Sequence, residues 1–77
     1  MKDIVKQRQA ILTLLYQARI EETKHRKAYL PISDVTDAIG DCAFNLSVLE
    51  ELNHIKCEGY KVRITGEGVL ASESAND

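Results

Sequence analysis

The apolar residues of this chain change their period once, at Asn53, and that change limits the folds open to it. Before Asn53 they recur at spacings of three and four. After it, in "IKCEGYKVRITGEG" (Ile55 to Gly68), Ile55, Cys57, Tyr60, Val62 and Ile64 alternate with Lys56, Lys61 and Arg63. A period near 3.6 lines up one face of a helix, and a period of two lines up one face of a strand. The chain therefore reads as helices followed by a β-hairpin, an α+β arrangement. With 77 residues there is room for one domain and a limited core, taken as residues 1–72 with a disordered polar tail at 73–77.

From about Lys2 to Glu22, the apolar positions Ile4, Val5, Ile11, Leu12, Leu15 and Ala18 predict one long amphipathic helix without Gly or Pro. Leu14, Tyr16 and Ile20 widen its apolar arc beyond the stripe that a core requires, and Arg8 and Arg19 project into that arc. "ETKHRK" (Glu22 to Lys27) is a polar connection. "AYL" before Pro31 is held extended, because the residue ahead of a proline is pushed out of the helical region. Ser33 stands where a helix N-cap belongs and Gly40 where a helix stops, giving a short second helix over about 34–39. Asp41 can cap a third helix that carries Leu46, Leu49 and Leu52 and closes at Asn53 or His54. Thr65 can cap a last helical turn through "GEGVLA".

The net charge of −2 divides unevenly. Residues 1–31 hold seven basic and three acidic residues, a balance of +4, whereas residues 32–58 hold one basic and six acidic, a balance of −5. No stretch approaches the roughly 20 apolar residues of a membrane span, and "MKDIVKQRQ" is charged where a signal peptide is apolar. A cytoplasmic location without membrane association is expected. Cys42 and Cys57 form no CxxC pair and are expected as free thiols. Ser33 and Ser47 lack a nucleophile elbow, "GEG" is no phosphate loop, and alternation points His54 and Cys57 to opposite faces, away from a shared zinc. Neither an enzyme, a cofactor nor a metal site is expected.

The order of elements, with "VLEELNHIKCEGYKVRITGEGVLA" at its end, resembles the winged helix-turn-helix superfamily of small bacterial and phage regulators. Leu49, Leu52, Ile55, Tyr60, Ile64, Thr65 and Gly68 match its leucines, its hairpin and its "Y-x-x-x-I-T-x-x-G" pattern, and "ISDVTDAIG" resembles the first helix of the helix-turn-helix. The likeness covers residues 4–71, although "RIEETKHRKAY" is longer than many members have there. It implies a three-helix core with a short strand near Ala28 to Leu30 and a C-terminal hairpin, the wing, at about 54–65. It also implies a third helix that enters the DNA major groove while the wing touches the backbone.

The exposed arc of that third helix should hold Ala43, Ser47, Glu50 and Glu51, so base contacts from Ala43 and Ser47 would be weak and two carboxylates would face phosphates. Phe44 and Val48 extend its apolar side, either as core or as a surface for another protein. Asn45 is expected to be a buried polar residue bonded to backbone. In the hairpin, a two-residue turn at Glu58 and Gly59 would set Lys56 opposite Lys61 and His54 opposite Arg63; a three-residue turn would shift that register. Like charges facing each other destabilise a hairpin unless an anion covers them. Lys56, Lys61 and Arg63, with Lys24, Arg26 and Lys27 of the connection, could then form one stripe for DNA phosphates, or merely a charged edge that discourages aggregation.

Two functions follow from these expectations. One is a DNA-binding transcriptional regulator that grips phosphate through its wing. The other is a protein-interaction module that uses its acidic third helix. The surplus apolar surface of the first helix, Ile4, Ile11, Leu14 and Leu15, further suggests a homodimer, unless the C-terminal "VLA" folds back to cover it.

Overall fold

The Asp3 carboxylate accepts the Lys6 N–H at 3.0 Å and caps the first helix, α1 (Ile4–Ile20). The computed structural model describes residues 3–23 and 28–75. Basic residues Lys24, Arg26 and Lys27 lie outside the described residues. After them come β1 (Leu30–Pro31), α2 (Ile32–Ile39), α3 (Ala43–Glu51), β2 (Ile55–Glu58), β3 (Lys61–Ile64) and α4 (Gly66–Ala75). The described residues thus form four helices and one three-stranded antiparallel sheet in the order β1-β3-β2, an α+β fold. None of these helices is long and apolar enough to cross a membrane.

The short first strand lies slightly later than the expected 28–30, with Leu30 opposite Val62 and Pro31 opposite Lys61. An edge strand tolerates Pro31 because its outer side has no ladder to complete. The second helix starts at Ile32, so Ser33 is not its cap. The hairpin supplies the reason: the Tyr60 carbonyl accepts the Ile32 N–H at 2.7 Å, satisfying a donor that a cap would otherwise serve. Gly40, at φ 98°, ends that helix in a conformation that favours glycine.

Asp41 Oδ1 accepts the Ala43 N–H at 3.4 Å at the start of α3. At the other end Asn53 takes φ 62°, its N–H donates to the Glu50 carbonyl, and the His54 N–H reaches back to the Leu49 carbonyl. These two bonds with a left-handed residue are a Schellman stop. They turn the chain directly into β2.

The hairpin register differs from the expected one. Ile55 pairs with Ile64, Lys56 with Arg63, Cys57 with Val62 and Glu58 with Lys61, leaving Gly59 and Tyr60 as the turn. Gly59 has φ 62° while Tyr60 keeps a negative φ, the arrangement of a II′ turn with glycine first. Placing Glu58 first instead would force a positive φ on a residue with a Cβ. The shift also moves Tyr60 out of the apolar alternation to an exposed turn position.

Ile11, Leu12, Leu15, Val35, Cys42, Leu46, Leu49, Ile55, Val62 and Ile64 form the core, to which every helix but α4 and both long strands contribute. Val69 of α4 packs onto that core from outside, near Tyr16. Tyr16 then donates its hydroxyl to Glu73 at 2.8 Å. The last helix therefore continues well past the single expected turn, and residues 73–75 of the expected tail are helical. Burial corrects the residues expected at a dimer interface. Ile11 and Leu15 are 0% exposed and cannot meet a second copy, and Leu14 is half-buried within the chain; of the four proposed interface residues only Ile4 is exposed. The C-terminal segment does fold back onto α1, through Val69; Leu70 points outward.

Candidate nucleic-acid interface

The pleat of the hairpin divides its side chains cleanly. Ile55, Val62 and Ile64 are buried and Cys57 half-buried, while Lys56, Glu58 and Lys61 are exposed and Arg63 is partly so. Alternation therefore brings Lys56, Lys61 and Arg63 to one outward face, as their spacing suggests. Glu58 stands among them.

Lys56 faces Arg63 across the ladder, a like-charge pair, but the covering anion belongs to the chain itself. Lys56 Nζ lies 3.1 Å from Glu58 Oε1. The Glu58 carboxyl is held below its ordinary range first by the hydrogen bond from Lys56, against a smaller opposing effect of burial. The Lys56 charge, a hydrogen bond from the Tyr29 hydroxyl and the charge of Arg63 add to the lowering. Because both carboxylate and ammonium are exposed, this contact is screened and adds little stability. Its effect is on the field of the face: three cations are offset by one carboxylate.

Two aromatic rings complete the face. Arg63 Cζ stands 5.3 Å from the centre of the Tyr29 ring, and Lys61 Nζ stands 5.5 Å from that of Tyr60. Both are within cation–π reach. Tyr29 precedes β1 and is half-buried, whereas Tyr60 at the turn is 68% exposed. Neither ring was evident as a site residue in the sequence. The usable signal was the register, since once Leu30 pairs inward with Val62, Tyr29 must fall beside Arg63.

The exposed side of α3 is different in kind. Ala43, Ser47, Glu50 and Glu51 are exposed as the helical wheel suggests, Val48 is half-buried, and Phe44 is 64% exposed. No residue on that side carries a positive charge, and α2 adds the exposed Asp34 and Asp37. Ala43 and Ser47 therefore sit among carboxylates and an aromatic ring, on a different element from Lys56, Lys61 and Arg63.

Asn45 shows why α3 is oriented this way. It is 1% exposed, donates to the Ile4 carbonyl at 3.0 Å and to Gln7 Oε1 at 2.8 Å, and accepts from Arg8 Nε at 3.0 Å. Its bonds to α1 fix α3 against that helix and remove Asn45 from base recognition. Arg19, the other arginine of the α1 arc, donates to the Ile64 carbonyl at 3.2 Å at the end of β3.

Both cysteines are free. Burial raises the Cys42 thiol, against a hydrogen bond involving Thr36, with the Asp41 charge adding slightly. Burial, then the hydrogen bond to Glu50 and the charge of Glu50, push the Cys57 thiol up to about 11. A thiol so protonated is a poor nucleophile and metal ligand. No family model matches the chain, and no curated protein or solved structure is significantly similar to it.

Proposed function

We propose that the chain is a small winged helix-turn-helix DNA-binding regulator of transcription, with α2 and α3 as the helix-turn-helix and the β2-β3 hairpin as the wing. The observation that carries this reading is the gathering of Lys56, Lys61 and Arg63 on one outward sheet face. Such a face suits a phosphate backbone, whose contacts supply affinity and orientation but not sequence. Ala43 and Ser47, exposed at the start and the middle of α3, are the residues with which this reading makes weak base contact. The carboxylates farther along α3 oppose deep entry into a groove, so phosphate contacts dominate.

The test is binding to random-sequence duplex DNA as salt is varied. Three phosphate contacts give a slope of log affinity against log salt of about −3. Replacing Lys56 and Lys61 together by Glu should abolish binding while the far-ultraviolet dichroism stays unchanged, because both side chains project from the sheet. Unaltered affinity and slope in that double variant would exclude the wing as the contact.

A second reading is favoured by Phe44, whose ring is largely exposed on a helix that also presents Glu50 and Glu51. On this reading α3 docks into an apolar pocket with a basic rim on another protein. Absence of duplex binding even at low salt would select it.

A further inference from the structure

We propose that the outward sheet face is a stacking platform for unpaired bases, so that the module binds single-stranded nucleic acid through Tyr60 and Tyr29 as well as phosphate through its cations. This rests on the phosphate-binding reading of the hairpin and adds a ligand class to it. The juxtaposition is specific: two aromatic rings and three cations share one side of a three-stranded sheet, and each ring has a cation over it.

The chemistry of unpaired strands needs both parts. Every base has a π-face, and an aromatic side chain can take it without reading its edge, while nearby cations hold the phosphates between successive bases. A base inside a duplex has its faces covered by its neighbours and cannot be stacked upon. Tyr60 is suited to the open strand because most of its surface is bare at the tip of the hairpin. Tyr29 is less exposed but better fixed. Its ring is half-buried and Arg63 stands against it, while its hydroxyl helps to hold the Glu58 carboxyl below its ordinary range.

Glu58 counts against phosphate on this face, but its charge is engaged by Lys56 and lies opposite Lys61. The face remains net cationic. The acidic α3, in contrast, would repel the paired strands on either side of a groove. Charge and aromatic surface thus favour a strand laid across the sheet over a helix buried in a duplex.

The experiment compares oligo-dT and oligo-U of roughly ten nucleotides with a duplex of equal length, using the full chain and its Tyr60→Ala and Tyr60→Phe variants. We expect Tyr60→Ala to weaken single-strand binding by roughly fivefold or more, with duplex affinity and salt slope within about twofold of the parent, while Tyr60→Phe retains the parent affinity. Oligo-dT and oligo-U distinguish DNA from RNA as the source of the unpaired bases, and Tyr60-dependent binding of either supports the proposal. The chain has three Tyr and no Trp, so stacking should also quench tyrosine emission directly, and less so in Tyr60→Ala. Three results overturn it: single-strand affinity unchanged in Tyr60→Ala, an equal loss for duplex and single strand, or duplex binding with no single-strand binding. If no nucleic acid binds even at low salt, the phosphate reading falls with it.

Discussion

Gly68 lies in the first turn of α4 with its Cα against the His54 carbonyl, so a Cβ there would collide with that oxygen and approach Ile64 Cγ1 to 2.7 Å. The obstacle is partly backbone and cannot swing aside. Gly68→Ala should cost about 3 kcal/mol, read as a lower urea midpoint with unchanged slope. The position is recognisable in the sequence as the glycine of "I-T-x-x-G", but the reason for it, a carbonyl from a distant helix end, is visible only in three dimensions. Asn45 gives a similar lesson. Its polar character at an apolar position announces a satisfied buried group, yet the partners lie on α1, out of reach of any local rule. Asn45→Ala, which removes the donor to the Ile4 carbonyl and to Gln7 and the acceptor for Arg8, should cost about 2 kcal/mol. For Cys57 the raised thiol pKa predicts slow alkylation at pH 8 compared with the unfolded chain. The linkage has a definite sign: an acid whose folded pKa of about 11 exceeds its ordinary 9.0 favours the fold below pH 9 and loses that contribution as pH rises from about 9 to 11. Equal labelling rates in native and urea-unfolded protein would contradict it.

At the scale of the element, the hairpin divides what the sequence tells from what it withholds. Alternation reveals two strands and their buried faces. It leaves the register open, because "CEGYK" offers both Glu58-Gly59 and Gly59-Tyr60 as turns, and backbone stereochemistry chooses the second. That single step replaces an expected Lys56–Lys61 contact with Lys56–Arg63 and brings Glu58 opposite Lys61. On the proposed phosphate-binding reading, Glu58→Gln should strengthen DNA binding several-fold and steepen its salt dependence, since it removes the one carboxylate among three cations. A fall in affinity would mean that Glu58 is needed to set Lys56 in place. Acid should act in the same direction on the parent: the lowered Glu58 pKa means its contribution to the hairpin persists above its ordinary 4.5 and fades as pH falls through the folded value. The fourth helix was harder to foresee. Ser72, Glu73 and Ser74 have no apolar period, and what extends the helix past its first turn is tertiary, through Val69 on the core and Glu73 on Tyr16.

Over the whole molecule, the apolar excess of α1 is real but is answered mainly within the chain. What stays exposed along that helix is Ile4 and Val5 at one end and Ile20 at the other, about 24 Å apart at 1.5 Å per residue, with no continuous strip for a second α1 to cover. Sedimentation equilibrium at tens of micromolar should accordingly return a monomer of 8.6 kDa; a dimer that dissociates on Ile20→Glu would show that the small end patches suffice. The sequence raised both alternatives, and weighing them requires knowing where α4 goes. One small junction has the widest reach. The His54 carbonyl accepts the Thr65 N–H at 2.9 Å, the Thr65 hydroxyl donates to the Asn53 carbonyl, and the Thr65 oxygens receive the Gly68 and Val69 N–H groups at 3.1 and 2.9 Å. The end of α3, the base of the hairpin and the start of α4 are thereby buckled together across a loop of only eleven intervening residues. Such a clasp has a kinetic meaning. None of the three parts can open alone, so the amide protons of His54, Thr65 and Val69 should exchange with solvent through one shared opening event, at a common protection that Gly68→Ala lowers for all three at once.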